Sequence, residues 1–330
     1  MGRDILTLVI TGGGGFIGRR LAKCILTEGE LTGPSGKREP ITELVLFDAV
    51  SPPKDDLADD RISVTVGDIT DADMVSEVIN QETDSVFHLA AVVSAGAEAD
   101  FDLGYKVNLD GTRNVLEAAR NTNRTPRVVF ASSLAAYGGD VPETVLDDTP
   151  ITPETSYGAQ KVICEYLITD YSRKGYIDGR AMRLPTIVVR PGKPNKAASG
   201  FASGIVREPL NGIDMACPVT PESRMAIMSP RTVVKCFLHM HEMDATKLGA
   251  SRALLLSGFS VSMADTAKAV RDVQTNRAKG KISFEVDPAT QAIVDGWPKT
   301  TLSQKAANLG FPADDNIEDV IAAYIEDELD

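Results

Sequence analysis

Histidine, cysteine and positive charge are all scarce in this 330-residue chain, and each scarcity closes a class of function. The four cysteines (Cys24, Cys164, Cys217 and Cys236) have no paired spacing. They read as buried free thiols of a reducing compartment, not as a disulfide framework. His239 and His241 are the closest of three histidines, and i, i+2 positions on a helix face different ways. No metal site is expected. Lysine and arginine number 34 against 47 aspartates and glutamates, a net charge of −13. That balance speaks against nucleic-acid binding and against docking on an anionic membrane. No apolar run approaches the roughly 18 residues of a membrane span. The first residues run straight into a strand-like segment without a hydrophobic leader, and Leu6 stands where a myristoylation signal has Ser or Thr. A cytoplasmic protein is expected.

What is present is an ordinary soluble composition, 43% hydrophobic and 25% charged, arranged in an informative order. Strand-like runs at Leu6–Ile10, Leu44–Phe47, Ile62–Val66, Val86–Leu89 and Val128–Phe130 alternate with helical patterns at Phe16–Glu28, 71–80, 102–121 and 156–174. That alternation predicts βαβ units and a parallel sheet covered by helices on both faces. The polar stretch Gly29–Thr42 reads as a surface excursion. Beyond residue 185 the alternation breaks down and Gly, Pro and Ser become frequent. The expected division is therefore a dinucleotide-binding domain over 1–185 and a mainly substrate-binding lobe over 186–330, with some segments returning to the first core. From Arg180 to Lys235 nine Lys/Arg face three acids, a balance of +6 that leaves −19 for the rest. A focused positive field of this kind suits an anionic substrate, although a solvated basic face would read the same.

Thr11-Gly12-Gly13-Gly14-Gly15-Phe16-Ile17-Gly18 falls where the first strand ends and the first helix begins. There Gly12 permits a sharp turn, Gly15 close approach of a pyrophosphate, and Gly18 tight packing of helix on strand. The phosphates would meet the positive end of the helix dipole. Asp48, ending the second strand, is placed to accept hydrogen bonds from the adenosine ribose and to repel a 2′-phosphate, so NAD is expected over NADP.

Tyr157 and Lys161 are four residues apart and share a helix face. A phenol titrates near 10, too high for a base at neutral pH. The ammonium and the positively charged oxidised nicotinamide are expected to lower it, letting Tyr157 take a proton while Ser133 holds the substrate oxygen.

These motifs, with Gly67-Asp68-Ile69, His88-Leu89-Ala90-Ala91, Val107-Asn108-Leu109-Asp110-Gly111-Thr112, Phe130-Ala131-Ser132-Ser133 and Arg190-Pro191-Gly192, resemble the extended short-chain dehydrogenase/reductase family over nearly the whole chain. The resemblance implies a Rossmann-type, doubly wound α/β fold with a smaller C-terminal substrate-binding lobe. It assigns catalysis to Ser133, Tyr157 and Lys161, with Asn108 completing a proton relay. Cofactor contacts fall to Gly12, Gly15, Phe16, Ile17, Gly18, Asp48, Asp68, Ile69, Leu89, Ala90, Ala91, Asn108, Tyr157, Lys161, Pro185 and Thr186. Lys161 would also bind the nicotinamide ribose. The helices over 102–121 and 156–174 resemble those that pair in this family's four-helix-bundle homodimer.

The second half departs from the nucleotide-sugar enzymes of the family, which carry an acidic residue where Ser229-Pro230 stands. Segments 183–195, 199–210 and 228–231 resemble a branch that oxidises a four-carbon sugar acid, D-erythronate, at C2 to 2-dehydro-D-erythronate. Substrate contacts are then expected from Ser94, Ser133, Tyr157, Thr186, Arg190, Asn195 and Arg231. A carboxylate needs a cation, and Arg190, Lys193, Arg207 and Arg231 stay open as its holder. The alternatives are a nucleotide-sugar epimerase or dehydratase with tightly bound NAD, and an NAD-sensing binding protein. Trp297 and Phe201 read as packing residues.

Overall fold

Alternate residues of a strand face opposite sides, so a run apolar throughout must be covered on both. Leu6–Thr11 is such a run, buried end to end. In the computed structural model, which describes residues 5–53, 58–192 and 199–329, it forms β1 (Leu6–Thr11) at the centre of a mainly parallel sheet. α1 (Phe16–Glu28), β2 (Glu30–Thr32), β3 (Arg38–Asp48), β4 (Ile62–Val66), α2 (Ala72–Val78) and β5 (Ser85–His88) follow. Next come α3 (Ser94–Ala99), α4 (Phe101–Gly104), a π-helical segment (Tyr105–Asp110), α5 (Gly111–Asn121), β6 (Arg127–Ser133), β7 (Thr144–Val145), α6 (Ser156–Arg173) and β8 (Asp178–Leu184).

β3 and β4 lie to one side of β1, and β5, β6 and β8 to the other. The chain reverses at β1, so the C-terminal ends of β1 and β5 frame the crevice where such sheets bind ligands. Leu8 and Ile10 pack with Leu21 and Ile25 of α1, while Val9 points to the face covered by Val115 and Leu116 of α5 and Ile168 of α6.

Two expectations need correction. Residues 29–42 are not a bare excursion. β2 pairs antiparallel with the start of β3, burying Leu31 and Ile41 in the first core. The alternating Arg38–Thr42 pattern was obscured by the polar turn before it. The single helix over 102–121 is instead α4, the π-helical segment and α5.

After β9 (Thr186–Ile187) the chain divides between two cores. α7 (Gly200–Leu210), β10 (Met215–Cys217) and β11 (Arg224–Met228) lead to α8 (Pro230–Glu242), which returns to cover the first core with Val233, Phe237 and Met240. β12 (Ala253–Leu255) joins the main sheet beside β8. β13 (Phe259–Ser262), α9 (Met263–Asp272), β14 (Ile282–Phe284), α10 (Pro288–Asp295), β15 (Thr300–Thr301), α11 (Gln304–Asn308) and α12 (Ile317–Glu328) complete the chain. Ile205, Ile227, Val270 and Ile321 centre a second core, with Phe201 and Trp297 packed into it. No described helix is long and apolar enough to cross a membrane.

Candidate active site

Gly12 leaves β1 at φ 73°, and a Cβ there would stand 2.7 Å from the Ala90 nitrogen at the end of β5. Its N–H donates to the Phe47 carbonyl of β3 at 2.8 Å. A Cβ on Gly18 would meet the Gly12 oxygen at 2.3 Å, so only glycine lets α1 seat on the turn. Gly15 precedes α1 without any side-chain cap, leaving the backbone donors at Phe16 and Ile17 and the positive helix end to an incoming anion. Asp48 folds onto this loop, its Oδ2 accepting from Gly14 N at 3.0 Å. Leu89 N donates to the Thr11 carbonyl, holding Leu89, Ala90 and Ala91 along the crevice. Asp68 is exposed after β4, and hydrogen bonds from Thr70 hold its carboxyl below the usual range. Ile69 is buried, its carbonyl accepting from Asn114 at 3.0 Å. A cradle that a Cβ would fill, an uncapped helix end and a carboxylate at the end of β3 suit a dinucleotide. Gly12, Gly15, Phe16, Ile17 and Asp48 are the residues that would hold NAD.

Ser133 ends β6 and Tyr157 opens α6, whose N-cap Thr155 accepts from Gly158 N at 3.0 Å. The Ser133 hydroxyl faces the Tyr157 phenol and accepts from Ala135 N at 3.1 Å. Lys161 is buried, with Nζ donating to the Ala131 carbonyl at 2.9 Å and lying 4.5 Å from the Phe130 ring centre and 5.5 Å from that of Tyr157. The expected lowering of the phenol does not occur in the chain by itself. Burial pushes Tyr157 up to about 12, only the Ser133 hydroxyl opposing it, and burial brings Lys161 down to about 8. The ammonium is tied to a carbonyl and a ring, so dehydration of the phenolate prevails.

Asn108 lies in the π-helical segment, buried. Its side chain accepts from Val92 N at 2.8 Å and donates to Val92 O at 3.0 Å and to Gln160 Oε1 at 2.7 Å. The amide holds the Val92 segment against α6. Beside it, Thr112 donates to the Asn108 carbonyl at 2.6 Å and so accepts from His88 Nε2, whose Nδ1 accepts from Thr11 at 2.6 Å. Burial drives His88 down to about 3, so this imidazole is neutral.

Ala91, Val92, Val93, Gly96, Asp100 and Arg190 line an open cleft of about 560 Å³. Its α3 wall is tied to the catalytic helix, because Glu98 accepts from Ser156 N, next to Tyr157, at 3.0 Å. Ser94 stands in the first turn of that wall. The apolar residues of this wall carry no chemical signature in sequence, and only their place after β5 could have pointed to them. Arg190 has no carboxylate partner among the described residues. Thr186 sits in β9, paired with Ile227 of β11, and Pro185 packs against Gly258. Asn195 and Lys193 lie outside the described residues.

Most of the basic stretch does structural work. Arg231 is a correction: it pairs with Asp327 at 2.5 Å and Glu326 at 2.9 Å on α12, so its charge is already matched. Arg183 pairs with buried Glu165 and donates to Tyr137, and Arg180 caps the end of α8. Ser229, at the N-cap of α8, is met by a carboxylate from far along the chain. Asp314 accepts from Ser229 N, Ser229 Oγ and Thr232 Oγ1 at 2.6, 2.8 and 2.6 Å. Distance in sequence hid this contact.

The profile of the NAD dependent epimerase/dehydratase family matches residues 8–250. D-erythronate dehydrogenase of Cupriavidus necator is 46% identical over 98% of this chain and 98% of that protein. The D-erythronate dehydrogenase of Haemophilus influenzae is 44% identical over 98% of this chain and 100% of its own length. Among solved structures, the nucleoside-diphosphate-sugar epimerase from Agrobacterium tumefaciens superposes with a TM-score of 0.89 at 38% identity, covering 100% of this chain and 97% of the other.

Proposed function

The chain belongs to the NAD dependent epimerase/dehydratase family, and from that premise we propose that it oxidises the C2 hydroxyl of D-erythronate to 2-dehydro-D-erythronate. It is an NAD-dependent dehydrogenase acting on a CH–OH group. The observation that carries the substrate is Arg190, a guanidinium without a carboxylate partner among the described residues, in a cleft whose α3 wall is hydrogen-bonded to the first turn of the helix that carries Tyr157 and Lys161. One such cation matches one substrate carboxylate.

When bound, NAD accepts the hydride that leaves C2. Ser133 holds the C2 hydroxyl, and Tyr157 takes its proton as the carbonyl forms. Lys161 supplies the local positive charge that favours the phenolate and reaches the nicotinamide ribose. Asp48 receives the adenosine ribose and disfavours a 2′-phosphate. Ser94 and Thr186 contact substrate hydroxyls. The protein works in the cytoplasm as a homodimer through the α4–α5 and α6 helices, where Phe101, Ile163 and Tyr166 present an exposed apolar face. A Tyr166→Glu variant should sediment as a monomer, and an unchanged dimer would contradict that face.

The second reading, a nucleotide-sugar epimerase retaining its NAD, is favoured by the similarity to the Agrobacterium enzyme. Purified protein given NAD and D-erythronate decides between them by NADH absorbance. Steady NADH production supports the dehydrogenase. Silence with sugar acids, together with turnover of a nucleotide-sugar, would overturn it.

A further inference from the structure

Arg190 follows Val188 and Val189, both buried in the second core, and precedes the Pro191-Gly192 turn, where Gly192 has φ 76°. No named strand includes Arg190; β9 ends at Ile187. Both main-chain polar groups of Arg190 are instead met by α7. Its N–H donates to Ser203 Oγ at 3.0 Å, and its carbonyl accepts from Arg207 Nη1 at 2.8 Å. These two α7 side chains are themselves fixed, at 5% and 4% exposure. The Arg207 guanidinium is held by Glu208 at 3.1 Å through Nε and 2.5 Å through Nη2, and the Arg207 carbonyl accepts from Asn211 at 2.8 Å.

We propose that Ser203 and Arg207 are positioning residues for the substrate carboxylate, clamping the Arg190 backbone on both sides so that its guanidinium is presented to the cleft. This rests on the reading of Arg190 as the carboxylate holder. It also gives Arg207 a different part from the direct contact that its sequence position left open. A guanidinium binds a carboxylate through a planar fork, and a fork is only as well aimed as the backbone that carries it.

The test is steady-state kinetics of the full-length enzyme with NAD and D-erythronate. Ser203→Ala should raise the KM for D-erythronate about fivefold, the loss of one backbone-orienting hydrogen bond. Its kcat and its KM for NAD should stay within about twofold, because chemistry and cofactor site are untouched. Ser203→Thr keeps the hydroxyl and should restore the KM, and Arg207→Lys should raise it less than Arg207→Met. Arg190→Ala is the control, with KM rising about a hundredfold. An unchanged KM in Ser203→Ala beside a raised one in Arg190→Ala overturns the clamp and leaves the carboxylate reading standing. Loss of kcat and of NAD affinity together in Ser203→Ala also overturns it, showing a general structural role. An unaffected Arg190→Ala overturns the carboxylate reading and the clamp with it.

Discussion

The catalytic pair illustrates how much of a phenol's acidity is left to the cofactor once burial has acted on it. Tyr157 and Lys161 do share a helix face, yet Nζ spends its strongest bond on the Ala131 carbonyl. The phenol stands at about 12 and the ammonium at about 8 without cofactor. Below 12 the phenolate fraction grows about tenfold per pH unit, so kcat/KM for oxidation should rise from pH 6 and bend near 8 as Lys161 loses its proton. A flat pH profile would contradict this. Tyr157→Phe removes the base and should lower kcat by about 10²–10⁴-fold while NADH binding, followed by fluorescence, is retained. Gly12→Ala tests the cofactor cradle. Its Cβ falls 2.7 Å from Ala90 N at a positive φ, and NAD affinity should drop at least about tenfold.

At the level of elements, the π-helical turn at Tyr105–Asp110 is what carries Asn108 inward between β5 and α6. Such bulges often accompany functional sites, and here the turn places one amide on both backbone groups of Val92 and on Gln160. Gln160→Leu should loosen the cleft wall relative to the catalytic helix. The expected outcome is a fall in kcat of about tenfold with unchanged NAD affinity. Equal losses in both would mean that the pair serves only the fold. The Val-Asn-Leu-Asp-Gly-Thr run marked Asn108 in the sequence, but helical periodicity alone could not show a π-turn, which differs by one extra residue in the spiral. Gln160 carried no signal, since one amide among the x positions of Tyr-x-x-x-Lys looks like any helix residue.

Across the whole molecule, buried polar side chains from one half secure elements of the other. Arg180 of β8 is 1% exposed and donates to the carbonyls of Met240, His241 and Met243 where α8 ends, with Asp178 balancing its charge. Arg180→Met strands those acceptors and the carboxylate, and should cost about 3–5 kcal/mol in urea unfolding. His241 stacks on Phe87 and bonds Ser85, and burial holds it down to about 4, as it holds His88 down to about 3. Unfolded imidazoles titrate near 6.5, so below that value the unfolded chain binds protons the folded chain refuses. Stability is therefore whole above 6.5 and should fall as pH drops from 6.5 towards 4, seen as a shrinking urea midpoint. His88→Gln should flatten that slope by about one proton.

Local features were legible in the sequence: glycines where a turn must pass close to another strand, an acid ending the strand beside β1, and the spacing of Ser133, Tyr157 and Lys161. These features depend on near neighbours and on periods of two and 3.6, which a linear chain displays. Which arginines find a carboxylate among the described residues was not written there. Arg183, Arg207 and Arg231 look alike in sequence to Arg190, and only their carboxylate partners, as distant as Asp327, distinguish them. The same holds for Asp314 meeting Ser229, and for the phenol that burial raises. Pairing and dehydration are properties of what surrounds a group in space, so the tertiary structure decided them.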